Sequence, residues 1–367
     1  MLFPRVLSST ILLLASVTAC VAAPVDASIE APRAATCTSK NMLVRKEWRT
    51  LSNSDKLSYI SAVKCLMSKP PQTSAYFAGV QTRYDDFVAL HINSTNYVHF
   101  NAPFLAWHRW LLHLWEQELR TTCGYTGTQP WWDFSLDNTI ADFANSPLFD
   151  DTYGLGGNGA YIADVSNATE FPDPIPVPIP GRTGGGCLET GPFAGLQAHM
   201  GIGLDLNYNP HCIRRDFSPT LISEALSDNY IQAAMDSPTF FDLNIAVQGV
   251  SLQVSGMRLH AGLHIGIGGQ IGEEANMYSS PGDPLFWFIH AALDKLWNDW
   301  QQECWETRQT DYSGPDTIWA YPFDFFGAIP YTNVTLGYEL EFEHFSSDVK
   351  IGDVMNIAAS NLCYKYE

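Results

Sequence analysis

Six of the ten histidines fall in two groups of three, and this limits the fold more than any other feature. His91, His99 and His108 occupy one short window; His260, His264 and His290 occupy another. "HAGLH" sets His260 and His264 at i and i+4, about 40° apart on a helix and so on one face. Two imidazoles so placed can share one metal ion, but the same helix cannot offer a third. The chain leaves through "GIGGQIG" and "SSPGDP" and starts again, with Asp283 suited to an N-cap and Pro284 to a first helical position. His290 then lies two turns into a new helix. Phe286 and Asp294 flank it at i−4 and i+4, the first as a packing residue and the second as a carboxylate behind a ligand.

The first group follows the same logic. Nine residues turn a helix by about half a revolution, so His99 and His108 cannot share a face of one helix. The Asn101-Ala102-Pro103 break resolves this: His99 belongs to a loop, His108 to the helix after it, and His91 to the segment before. That helix, "FLAWHRWLLHLWEQELR", is so apolar that a single histidine in it would read as a core residue. Six histidines at these spacings read instead as ligands. Imidazole trios without thiolate or carboxylate suit Zn, Cu, Fe or Ni, and two trios suggest two metals serving one substrate. The hydrolytic zinc motif needs a Glu after its first histidine; here Ala261 stands there, which counts against a zinc hydrolase.

The rest of the chain fits an exported catalytic domain. Arg5 precedes the apolar run "ILLLASV" and the small-residue sites "VTA" and "VAA", so residues 1–23 read as a signal peptide and 24–40 as a loose leader or propeptide. Residues 41–367 read as one domain. A net charge of −19 speaks against nucleic acid or an anionic membrane as partner. Without Cys20 the chain keeps seven cysteines, an odd number; short loop span favours Cys37–Cys65 and Cys187–Cys212. Sequons at Asn93, Asn167 and Asn333 agree with secretion. Helical patterning runs through "SNSDKLSYISAVKCLMSK" up to Pro70, then over 104–121, 219–236, 246–264 and 284–303. The Gly- and Pro-rich residues 150–190 predict an irregular surface excursion, and the last sixty predict short strands and loops. His113, His199, His211 and His344 carry no pattern, and His199 and His211 read as surface residues.

On these residues the chain resembles the type-3 copper proteins: tyrosinases, catechol oxidases and haemocyanins. "FLAWHRWLLHLWEQEL" is similar to the first copper signature of that family, "DPLFWFIHAALDKLWNDW" to the second, and "QPWWDFSLD" to an aromatic element of the family. The resemblance spans about residues 45–366. It implies a mainly α fold, a four-helix bundle with long loops and a few short strands. His91, His99 and His108 would hold one copper, and His260, His264 and His290 the other. O2 and small phenols would be the partners, and the sequence leaves oligomeric state open. Phe286 would pack on a ligand, Asp294 would bond near the site, and the tryptophans would form a dry wall. "YKYE" looks like the family's closing Tyr-x-Tyr motif, paired with Arg45. A C-terminal lid domain of the kind long relatives have is not expected.

Departures from the family pattern refine the expected chemistry. Tyr97 replaces a cysteine that often cross-links the second ligand, so no thioether is expected. Monophenol hydroxylators carry Asn after the first histidine of the second trio and a Glu about nine residues earlier. Here those positions are Ala261 and Ser251, with Gln248 and Gln253 the nearest polar substitutes. Ile265 makes the entrance apolar, and Met277 stands at the gate position. The expected activity is oxidation of o-diphenols, with o-aminophenols as a variant, and weak monophenol hydroxylation. A full tyrosinase is the alternative, and an O2 carrier a remote one.

Overall fold

The structure, a computed structural model, describes residues 36–166, 177–250, 254–318, 320, 322 and 329–367. Strand β1 (Leu43–Arg45) precedes helix α1 (Asn53–Leu66), whose start is fixed by Ser52 accepting the Asp55 N–H at 3.2 Å. Helix α2 (Arg83–Val98) opens on a reciprocal capping box of Thr82 and Asp85. Helix α3 (Phe104–Thr122) follows directly on Pro103. After the short α4 (Ile140–Ala144), the described part of the Gly- and Pro-rich excursion is irregular, as its composition dictates. Beyond it, β2 (Gln197–Ala198) pairs antiparallel with β3 (His211–Cys212), and Cys187–Cys212 staples β3 to the end of the excursion.

Two expected helices are each divided. The stretch 219–236 forms α5 (Pro219–Ala225) and α6 (Asp228–Met235), because Leu226 leaves helical geometry at φ −107° and ψ 21°. The stretch 246–264 divides into α7 (Phe240–Gln248) and α8 (Leu259–Gly268), and Gly249 ends α7 at φ +77°, a conformation suited to glycine. Helix α9 (Phe286–Glu303) starts later than Asp283-Pro284 predicts. The Asp283 carboxylate does accept the Leu285 N–H at 3.0 Å, but it is also gripped by Arg215 at 2.7 and 2.9 Å, wholly buried. Helix α10 (Trp305–Arg308), strands β4 (Glu339–Leu340) and β5 (Val349–Lys350), α11 (Ile351–Val354) and β6 (Tyr364–Tyr366) complete the chain, short elements as the aromatic-rich tail leads one to expect.

Helices α2, α3, α8 and α9 form the bundle that carries all six clustered histidines, and the fold is mainly α with short strand pairs around it. Indoles fill its interior: Trp115 and Trp287 stack at 3.9 Å, and Trp48 meets Phe288 edge-on at 5.2 Å. No helix among the described residues is long and apolar enough to cross a membrane.

One charged knot ties both ends of the chain to the bundle. β1 pairs in parallel with β6, so Arg45 lies beside Tyr366, and its guanidinium sits 3.7 Å over the Tyr364 ring. Arg45 also donates to Glu116 at 2.9 Å and to Asp294 at 3.4 Å. Asp294 further accepts from Arg109 and from the hydroxyls of Tyr364 and Tyr366. Burial alone would raise the Asp294 pKa, but Arg109 and Arg45 hold it below the usual carboxylate range. Asp294 is therefore not a partner of any ligand histidine, contrary to its i+4 spacing from His290. Two arginines and two tyrosines outcompete an imidazole for it.

The disulfides correct part of the sequence reading. Cys187–Cys212 forms as expected, whereas Cys37 pairs with Cys363 and Cys65 with Cys123. Short loop span misleads here because parallel β1–β6 pairing brings the termini together. Among the described residues no cysteine is free, despite the odd count. Residues 36–40 are likewise no loose leader, since Cys37 is bonded and Thr38 bonds Asn41; residues 1–23 and most of 24–40 lie outside the described residues.

Asp294→Ala leaves two buried guanidinium groups short of their partner. The substitution is expected to cost about 3–5 kcal/mol in denaturant unfolding. A loss well under 1 kcal/mol would contradict the central place of this knot.

Candidate metal centre

The two trios meet at the middle of the bundle. His91 lies within α2, His99 is the extended residue that ends it, and His108 follows in the second turn of α3. His260 and His264 share one face of α8, and His290 lies in α9. Within each trio the ligand nitrogens lie within 4.8 Å of one another, and all six residues are buried. The trios face each other: His108 and His290 stack with ring centroids 4.0 Å apart and planes 8° apart, and His99 and His260 lie 5.7 Å apart.

The backbone sets which nitrogen points inward. Nδ1 of His91 donates to the Tyr278 carbonyl at 2.7 Å, that of His99 to Thr95 at 3.0 Å, and that of His108 to Phe104 at 2.8 Å. Nδ1 of His264 donates to the Glu274 carbonyl at 3.1 Å. A carbonyl can only accept, so these four rings carry their proton on Nδ1 and turn a lone pair on Nε2 toward the centre. Nε2 of His91 and His108 then face each other at 3.5 Å, an arrangement of two lone pairs that a shared cation stabilises. Nε2 of His260 is buried with no hydrogen-bond partner. The donor set therefore fits a soft-to-borderline transition metal at each trio.

Burial keeps the imidazoles neutral. It pulls His99 down to about 4 and His264 down to about 3, and it holds His91, His108, His260 and His290 well below the ordinary histidine range. Neighbouring imidazoles add to the effect, because a second positive charge in the cluster is unfavourable.

Aromatic packing differs in detail from the expected wall of indole. Phe286 lies 4.3 Å from His290 and 5.1 Å from His91, and Phe104 lies 4.8 Å from His108 and 4.5 Å from His260. Each phenylalanine thus touches a histidine of both trios. Sequence reasoning found Phe286 and missed Phe104, although both precede a histidine by four residues. Of the tryptophans near His108, Trp107 touches that ring at 4.9 Å, Trp115 lies a layer behind against Trp287, and Trp110 stacks instead on His113.

A small cavity of about 90 Å³ opens on His99, His260 and His264. Its walls include Phe100, Ala261, Ile265, Ala275 and Met277, so three of the four expected pocket residues line it. Phe286 does not, being wholly buried behind the ligands. Gln248 is fully committed: it accepts from the Phe100 N–H at 2.6 Å and donates to the Asn101 carbonyl at 3.1 Å and Asn244 Oδ1 at 2.8 Å. It does not line the cavity and so is not placed where the missing Glu would stand. Ser251 and Gln253 lie outside the described residues. Sequence reasoning also missed Glu274 and Ser280, which line the cavity without any local spacing signal.

The remaining histidines are engaged rather than idle. His199 is paired with Asp85 at 2.7 Å and His211 with Glu273 at 3.3 Å, both only partly exposed. These bonds clip the β2–β3 segment to α2 and to the turn after α8. His113 is largely buried with Nδ1 unpartnered, and burial pulls it down to about 4; His344 stacks on Tyr76 at 3.5 Å. Tyr97 is 71% exposed, Asn93 is half-buried, Asn333 is exposed, and Asn167 lies outside the described residues.

The lowered imidazole pKa values set a pH dependence. Between the ordinary value near 6.5 and about 3–4, the unfolded chain binds protons that the folded one refuses. The metal-free protein should therefore hold its full stability above about pH 6.5 and lose it progressively as pH falls through that window. Melting temperature recorded from pH 7 to pH 4 checks this, and a flat profile would contradict it.

Comparison with known proteins agrees with the geometry. Residues 81–303, a stretch that contains both trios, match the common central domain of tyrosinase. The chain is 36% identical over 361 residues to an N-acetyl-6-hydroxytryptophan oxidase of Emericella nidulans, covering 90% of this chain and 94% of that one. It is 34% identical over 338 residues to tyrosinase P of Aspergillus terreus, covering 88% and 91%. Among solved structures, a point mutant of a polyphenol oxidase from Thermothelomyces thermophila superposes with a TM-score of 0.77 at 31% identity, covering 90% of each chain. With two buried imidazole trios facing each other across a four-helix bundle, the chain belongs to the tyrosinase family of type-3 copper proteins.

Proposed function

We propose that this copper oxidase is an o-diphenol oxidase that takes two catechols to two o-quinones while O2 goes to two waters, with little hydroxylation of monophenols. In this reading His91, His99 and His108 hold one copper and His260, His264 and His290 the other. The copper pair supplies the O2 binding and the electron transfer. The chain's own part is to keep six imidazoles neutral, hold their Nε2 atoms inward, and exclude water with Phe104, Phe286 and Trp107. An aromatic ring would enter between Ala261, Ile265 and Met277, an apolar passage suited to a phenol. O-aminophenols, which share the 1,2-disposed donors, fit the same reading.

The observation that carries the preference for diphenols is that Ala261 lines the cavity while Gln248 is held by Phe100, Asn101 and Asn244 and does not line it. A free phenol titrates near 10, so hydroxylating a monophenol calls for a base or an ordered water at the entrance. Ala261 offers neither, Gln248 is spent on the backbone, and both Glu274 oxygens are shut off from solvent. Secretion is part of the proposal: the three disulfides between described residues suit an oxidising compartment. Asn333 and Asn93 would then be open to glycans.

O2 uptake by the copper-loaded protein tests this, with 4-tert-butylcatechol and tyramine in separate runs. Rapid uptake on the catechol and almost none on tyramine is the expected result. Comparable rates on both would make the protein a full tyrosinase, and no uptake with two coppers bound would favour an O2 carrier.

A further inference from the structure

Among the carboxylates packed around the second trio, Glu274 stands alone. Glu273 accepts from the Ser279 hydroxyl at 2.6 Å and from His211 at 3.3 Å, and Asp283 is gripped by Arg215. Glu274 is 1% exposed, and neither of its side-chain oxygens makes a hydrogen bond. Its Oε2 nevertheless lies 2.9 Å from Nδ1 of His264, and its own carbonyl accepts that Nδ1 proton at 3.1 Å. The N–H points at the carbonyl, with the carboxylate oxygen close beside the same nitrogen.

The chain goes to some length to place Glu274 there. It sits on the short 3-10 turn Glu273–Ala275, laid against the end of α8. A Cβ on Gly268 would overlap the Ala275 nitrogen, so only glycine at 268 lets that turn come so close. Of the six clustered histidines, His264 alone has a carboxylate at its Nδ1; His91, His99 and His108 have only backbone carbonyls. Burying an acid with neither oxygen hydrogen-bonded is unfavourable whether it is charged or neutral, so packing within the metal-free protein does not explain it. An oxygen at the outer nitrogen of a metal-bound imidazole does: it fixes the ring and makes the inner nitrogen a stronger donor.

We infer that Glu274 is a positioning residue for the second copper, acting through His264 and giving one metal of the pair a ligand more basic than any in the other trio. Its carboxyl oxygens are shut off from the cavity, so it acts on the metal through the ring of His264. This rests on the copper assignment, which wild-type protein holding two coppers per chain checks independently.

The test compares wild type with Glu274→Leu, which removes both acceptor oxygens, and Glu274→Gln, which keeps one. Copper per chain is counted after dialysis against rising chelator, a Cu(II) EPR signal reports chains left with a single ion, and the metal-free melting temperature serves as control. Glu274→Leu should release one of its two coppers at roughly 10–100-fold lower chelator, with the single-ion EPR signal appearing as it does so. Glu274→Gln should fall between, and the metal-free Leu variant should melt no lower than wild type. Release of both coppers together, or release at the wild-type concentration, would overturn the inference. So would a metal-free Leu variant that melts lower or fails to fold, since Glu274 would then be a packing element. A wild type unable to hold two coppers would instead sink the copper assignment itself.

Discussion

Six neutral imidazoles buried within contact of one another are the constraint from which the rest of this structure follows. Each ring must lose water and still have its polar atoms answered. In four of them the outer nitrogen is answered by a backbone carbonyl, two of those carbonyls being four residues earlier on the same stretch of chain. Helices suit this task because a histidine at the right turn finds a carbonyl within reach at no cost in side chains. The inner nitrogens are thereby left bare and aimed at a common centre. A bundle of α2, α3, α8 and α9 is the frame that points them there.

What the sequence discloses and what it withholds divides along one physical line. Local spacing carried the grouping of the six histidines: HAGLH on one face, Pro103 separating His99 from His108, and a fresh helix for His290 all recur in the structure. The i−4 relation that singled out Phe286 applies equally to Phe104, so that residue was legible and overlooked. Contacts between distant segments were not legible. Nothing in local spacing announces that Asp294 will be taken by Arg109 and two tyrosines from the last turn of chain. The same holds for Cys37 reaching Cys363, for Asp85 and Glu273 engaging His199 and His211, and for Glu274 arriving behind His264. Helix ends fell between these extremes. Gly249 breaks a run that hydrophobic periodicity continues through, because periodicity reports on faces and not on backbone sign.

The two trios are alike in ligand type and unlike in surroundings. The first has its outer nitrogens answered by carbonyls alone and reaches the cavity only at His99. The second borders the cavity with two of its histidines and has Glu274 behind His264. Access and charge are thus concentrated on one side of the centre. On the proposed reading, a substrate approaching through Ala261 and Ile265 would meet the side that local residues can tune, while the other side is set by the fold.

The pairing of β1 with β6 has a wider meaning for how this chain is put together. With Cys37 bonded to Cys363, the chain between them is a closed ring, its two cysteines 326 residues apart in sequence. In the chain-entropy picture such a closure removes roughly 5–6 kcal/mol of freedom from the unfolded state. The ring is sealed directly beside Arg45, whose buried charge is shared between Glu116 of one bundle helix and Asp294 of another. Fraying, which ordinarily begins at the loose ends of a protein, has no starting point within that ring. Between those two cysteines the domain is circular in all but its peptide bonds.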